Sequence, residues 1–138
     1  MHISTRCHYA IKALVRLALS YGGAPVQARD IAEFGAIPIK YLEQVMRDLR
    51  QGGLVASTRG KNGGYVLARP PEDITFSDVR ELIDGSSWVN GRMAGAAQGD
   101  ALVEPVWDAV RRAVREVLDG ATIAASAERA RSAHSYSI

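Results

Sequence analysis

Cysteine is almost absent from these 138 residues: Cys7 is the only one. A single thiol excludes an internal disulfide framework and any metal site that needs two or more cysteines from one chain. Long apolar runs are also missing. No stretch approaches the roughly 18 residues that a membrane-spanning helix needs, and the opening MHISTRCHYA lacks the apolar core of a secretory signal. A cytoplasmic location with no membrane contact is therefore expected. No GxxxxGK, GxGxxG or HExxH occurs, and no serine, histidine and acid stand at motif-like spacing, so an enzyme is not expected.

What is present reads as one globular domain, or one domain with a helical extension. Hydrophobic residues are 47% and charged residues 23%, ordinary values for a chain that buries its own core. The net charge of +2 hides an uneven distribution. Residues 1–71 carry ten Lys/Arg against four Asp/Glu, and residues 72–138 carry seven against eleven. A basic half points to a polyanionic partner.

The periodicity predicts a helix over 4–21, with Ala10, Leu14, Leu17, Ala18 and Tyr21 on its apolar stripe and Gly22-Gly23 as its stop. A second helix follows over 27–34. A third opens at Ile37-Pro38, with Ile39, Leu42, Val45, Met46 and Leu49 inward. Lys40, Gln44, Arg47 and Gln51 recur at i, i+4, i+7 and i+11 and form one polar, basic face. Two β segments, 54–58 and 65–68, flank the glycine-rich tip Arg59-Gly60-Lys61-Asn62-Gly63-Gly64. Thr75 with Asp78 suggests a capping box for a helix running to about Asp84. Residues 85–100 show no period. A wide apolar stripe including Leu102, Val106, Trp107, Val110 and Val117 predicts a helix over 101–119 that packs on two sides, the second being another subunit. A short last helix is expected over 122–133.

This order predicts a mainly α fold with a small two-stranded β wing: a winged helix-turn-helix plus a long C-terminal dimerisation helix. The expected division is a DNA-binding domain over 1–84, a loop over 85–100, and a dimerisation helix with its tail over 101–138. The third helix can enter a major groove about 12 Å wide, and the wing tip can reach phosphates or the minor groove, where Arg59 meets the stronger negative potential. Arg47, Lys61, Asn62 and Gly63 belong to these two surfaces.

The chain also resembles the Rrf2 family of bacterial transcription regulators. The resemblance rests on Ile3-Ser4-Thr5 with Tyr9-Ala10, Ile31-Ala32, Tyr41-Leu42-Glu43-Gln44, Leu49-Arg50 and Gly53-Leu54-Val55. It continues through Ser57-x-Arg59-Gly60, Gly63-Gly64-Tyr65, Ala68-Arg69-Pro70-Pro71, Ile74-Thr75, Trp107, and Leu118 before Thr122-Ile123-Ala124, and so covers about residues 1–125. It implies a homodimer that crosses its long helices and reads a palindromic operator on double-stranded DNA, acting as a repressor. It implies base or phosphate contacts for Lys40, Tyr41 and Gln44, and minor-groove entry for Arg59. Glu43 matches a position that can accept from a cytosine amine or orient Arg47. Ser4, Arg6, Gln27 and Arg29 stand at helix starts where phosphates are contacted.

The chain departs from the family in one respect. Many members hold an iron–sulfur cluster on three cysteines before the long helix, whereas Gly85 to Asp100 contains neither cysteine nor histidine. A cluster on three thiolates is excluded, and no cofactor is expected. Ala101 stands at the place of the last cluster cysteine, and Glu104 where some members have a histidine. Cys7 and His8 invite a metal reading, but neighbours on a helix point about 100° apart and rarely chelate one ion. Cys7 could be a redox switch if Arg6 or the helix start stabilised its thiolate. Trp88 and Trp107 could line a pocket for a small-molecule effector, with Arg92 and Met93 as its lid. Regulation by a partner protein stays open. The alternative to a DNA-binding regulator is a winged-helix protein-interaction module with weak or lost DNA binding.

Overall fold

The computed structural model describes residues 3–85 and 97–136, with side chains through residue 133. Helix α1 spans Thr5–Ala18. It begins where it does because Ser4 is extended and its Oγ accepts the Cys7 N–H at 3.0 Å, satisfying one of the open donors of the first turn. Ala10, Ala13, Leu14 and Leu17 are buried along its inner face. The helix stops before the glycines. The N–H groups of Ser20 and Tyr21 bond three residues back, to Leu17 and Ala18, and this tighter winding turns the chain out of the helix. Tyr21, expected on the buried stripe, is consequently exposed.

Helix α2 (Ala28–Gly35) ends at Ala36, which takes the left-handed conformation with φ 50° and ψ 47°, while Lys12 Nζ from α1 donates to the Gly35 carbonyl. Helix α3 (Ile39–Gln51) buries Leu42, Val45, Met46 and Leu49. Ile39 was expected with them and is 51% exposed. Met46 shares nearly the same side of the helix and is buried. Ile39, in the first turn, instead lines the open groove between α2 and the start of α3.

Strands β1 (Val55–Thr58) and β2 (Gly64–Leu67) pair antiparallel from Val55↔Leu67 to Thr58↔Gly64. Val26 joins the base of this hairpin through two backbone bonds to Tyr65, 2.9 and 2.8 Å long. Two glycines make the geometry possible. A Cβ on Gly63 would stand 2.1 Å from the Thr58 carbonyl oxygen, and one on Gly64 would stand 2.5 Å from that of Val26. No side chain fits either place.

After a 3-10 turn at Pro71–Asp73, helix α4 (Phe76–Asp84) carries the expected capping box. The Asp78 N–H donates to Thr75 Oγ1 at 3.1 Å, and the Thr75 N–H donates to Asp78 Oδ2 at 3.0 Å. Helix α5 runs Gln98–Gly120, three residues longer at its start than the apolar pattern suggested. The Asp100 carboxylate extends it by accepting the Ala97 N–H at 3.0 Å. Pro105 lies inside α5 and leaves one carbonyl of the preceding turn without its usual donor.

Helix α6 (Ile123–Tyr136) differs most from expectation. It is longer than the 122–133 segment, and it packs on the winged unit instead of continuing with α5. Thr75 and Thr122 form a bridge flanked by Phe76 N–H to Ala121 O (2.8 Å) and Ile123 N–H to Ile74 O (2.9 Å). Ile123 and Ala127 are buried in the same core as Leu14, Leu42 and Val79. Arg131 donates to the Ala18 carbonyl at the end of α1. The last helix thus completes the winged unit, and the expected boundary at residue 84 does not divide the core.

Candidate nucleic-acid interface

Burial of one side of α3 fixes what the other side can do. With Leu42, Val45, Met46 and Leu49 inward, Lys40, Gln44, Arg47 and Gln51 project outward and are exposed. Tyr41 and Glu43 flank this face and are exposed too. The Tyr41 ring lies 6.3 Å from that of Tyr9 on α1, tilted 44°, and Lys12 Nζ sits 5.2 Å from the Tyr9 centroid. Among the described residues no hydrogen bond or ion pair joins Glu43 to Arg47. The far end of α3 is tied to the wing, where Arg50 Nη1 donates to Ser57 Oγ at 3.3 Å.

At the wing tip Arg59, Lys61 and Asn62 are exposed. Gly63 is buried and donates its N–H to Gly60 O at 3.0 Å. It closes the turn that presents its charged neighbours and offers no surface itself. Gln27 and Arg29 are exposed at the start of α2, and no side chain caps that helix.

Ser4 and Arg6, expected at phosphates, are otherwise engaged. Ser4 caps α1, its Oγ donates to Asp84 Oδ1, and its N–H donates to Asp84 Oδ2 at 3.2 Å. Arg6 Nη2 forms an ion pair with Asp48 Oδ2 on α3. Sequence reasoning missed Asp48, because partners 42 residues apart carry no local signal.

Cys7 and His8 point apart, as their spacing required: Cys7 is 2% exposed and His8 is exposed. Burial, then the Asp84 carboxylate, push the Cys7 thiol up to about 11 against the opposing pull of Arg80. The condition for a redox switch, a thiolate stabilised by Arg6 or the helix start, is not met here. The side chain faces the core, and the nearby charge that prevails is negative. Trp88, Arg92 and Met93 lie outside the described residues. Trp107 is an exposed side chain of α5. Neither the cavity of about 300 Å³ between the end of α1 and the wing, lined by Leu17, Ser20 and Tyr65 among others, nor the groove between α2 and the start of α3 includes Trp107.

On α5 the apolar residues stand outward: Leu102 is 75% exposed and Val117 71%, with Val103, Val106, Trp107 and Val110 also exposed. The opposite side is polar in its first half. Arg111 pairs there with Asp108 and Glu104, and these carboxylates hold its guanidinium above the ordinary range against its own desolvation.

Three helices closing on a hairpin, with an exposed polar face on the third helix beside a basic wing tip, define a winged helix-turn-helix protein. Residues 3–129 match the Rrf2 family, described as an iron-dependent transcriptional regulator. The chain belongs to this family of DNA-binding transcription regulators. It is 37% identical over 129 residues to Rv1287 of Mycobacterium tuberculosis, named as an HTH-type transcriptional regulator, covering 90% of this chain and 80% of that one. It is 34% identical over 123 residues to the HTH-type transcriptional regulator CymR of Bacillus subtilis, covering 89% and 87%. The solved structure of B. subtilis CymR, the global cysteine regulator, superposes with a TM-score of 0.81 over 94% of this chain and 98% of that one. IscR of T. potens superposes with a TM-score of 0.80 at 36% identity, covering 96% and 90%. No helix among the described residues is long and apolar enough to cross a membrane.

The family description raises the question of iron. The donor set does not fit a cluster on three thiolates, because the chain holds one cysteine. That cysteine is buried beside an outward-facing histidine, and Glu104 is engaged by Arg111. Among the described residues no group of three or more His, Cys, Asp and Glu side chains is placed to hold an ion.

Proposed function

We propose that this chain is a homodimeric, sequence-specific regulator that binds a palindromic operator in double-stranded DNA and represses by occupancy. The observation that carries this reading is the outward row Lys40, Gln44, Arg47 and Gln51 on α3 beside the exposed wing tip Arg59, Lys61 and Asn62. A helix of about 10–12 Å diameter matches the major groove, and amide and guanidinium groups on its face can pair with base edges. The wing guanidinium suits a narrow minor groove. The exposed apolar side of α5 supports a second copy, because an unpartnered row of Leu, Val and Trp is costly in water. Two such units related by a two-fold axis read an inverted repeat.

Selection from random duplex DNA with the purified chain tests the reading. An inverted-repeat motif is expected. Arg59→Ala is expected to weaken binding to that motif by about tenfold or more without lowering the melting temperature. Failure to enrich any sequence would favour a winged protein-interaction module instead.

A further inference from the structure

We propose that Asp48 acts as an internal stand-in for a DNA phosphate, pairing with Arg6 so that one cation at the interface is cancelled and sequence-independent binding is kept low. The inference rests on the DNA-binding reading above and adds a residue that reading does not use. Arg6 stands in the first turn of α1 and Asp48 in the third turn of α3, and their guanidinium and carboxylate are in direct contact. The Tyr9–Tyr41 contact one turn along shows that this flank of α1 lies against α3.

In helical projection Asp48 falls between Tyr41 and Gln44. Its carboxylate therefore borders the outward row of Lys40, Gln44 and Arg47. Both side chains reach solvent, 49% exposed for Arg6 and 30% for Asp48. A guanidinium offers the same fork to a carboxylate as to a phosphate. If Arg6 stays on Asp48, it neutralises no phosphate. If it turns to a phosphate, the Asp48 carboxylate is left facing the same polyanion. Either way the pair adds no net positive charge, and the counterion release that one arginine would contribute is lost. The consequence is functional, because competing non-specific sites on a genome draw a regulator away from its operator.

The salt dependence of binding to a short random-sequence duplex tests this with the full chain, Asp48→Asn, Arg6→Gln and the double variant. Asn has the shape of Asp, and thermal melting checks that each variant folds. Asp48→Asn is expected to steepen the slope of log K against log salt by about 0.9 and to tighten binding roughly five- to tenfold at about 0.1 M salt. Arg6→Gln should change both in the opposite direction, and the double variant should return to the slope of the unaltered chain. An unchanged slope in Asp48→Asn overturns the inference. So does a double variant as shallow as Arg6→Gln alone, which would mean that Arg6 neutralises a phosphate by itself. If the unaltered chain shows no salt-dependent duplex binding, the DNA-binding reading falls and this inference falls with it. Binding with no response to Asp48→Asn removes only the inference.

Discussion

Cys7 shows how much a single side chain's direction decides. Its neighbours in sequence are Arg6, which would favour a thiolate, and His8, which would suggest a metal. The side chain instead faces the core, with Asp84 near it, and burial followed by that carboxylate pushes the thiol up to about 11. At pH 7 the thiolate fraction is then on the order of one in ten thousand, which makes Cys7 a poor nucleophile. Alkylation by iodoacetamide at neutral pH should be far slower in the folded chain than in urea, and rapid labelling of the folded chain would restore the redox reading. The pH dependence follows with a definite sign. Above the ordinary value of 9.0 the unfolded chain releases a proton that the folded chain keeps up to about 11. The stability from the buried thiol is thus fully present below about pH 9 and lost as pH rises towards 11. Denaturant melts between pH 8 and 11 should show this fall, and Cys7→Ala should lack that part of it.

At the scale of elements, the joints between helices matter more than the helices. Thr75 starts α4 through its capping box and, through its backbone, pairs with Thr122 ahead of α6. Ser77 on α4 donates to Asp119 at the end of α5. The end of α5 is therefore fastened to the start of α4 by two neighbouring contacts. Ile123, the first residue of α6, has no exposed surface. Ile123→Ala is expected to cost about 2–5 kcal/mol, lowering the urea midpoint of the whole winged unit. A midpoint unchanged within error would mean that α6 is an appendage. The wing depends on its own joint, the approach of Gly64 to Val26, where an added Cβ would overlap a carbonyl.

For the whole molecule, the division of charge and the direction of α5 go together. The basic half, residues 1–71, carries α3 and the wing, and the acidic half carries α4, α5 and α6. Within α5 the ion pairs of Arg111 lie on one side and the apolar row on the other. Among the described residues nothing covers that row, which is the basis of the proposed dimer. Leu102→Glu with Val106→Glu should convert a dimer into a folded monomer, read by sedimentation. Affinity for a two-half-site operator should fall by about 100-fold or more, because the second half-site is no longer bound intramolecularly. Retention of the dimer would place the subunit interface elsewhere.

Much of this was legible in the sequence because it is written in local patterns. The period of Leu42, Val45, Met46 and Leu49 placed α3 and so its outward row. Glycines between two β-rich segments placed the wing, and Thr75 with Asp78 placed the start of α4. Ile39 and Tyr21 went astray because periodicity reports a face and not what packs against it. The presence of α5 and its apolar row was also readable, but the expected packing of that row on its own domain was not met: the side α5 buries carries Glu104 and Arg111, and the apolar residues stand outward. Tertiary structure alone decided which residues from distant segments meet. It turned Cys7 inward, gave Ser4 to Asp84 and Arg6 to Asp48, and returned α6 to the core of the winged unit. Hydrophobic periodicity is a local signal carried along a few turns. Pairing across 42 or 80 residues is settled only when burial of the whole chain brings those groups together.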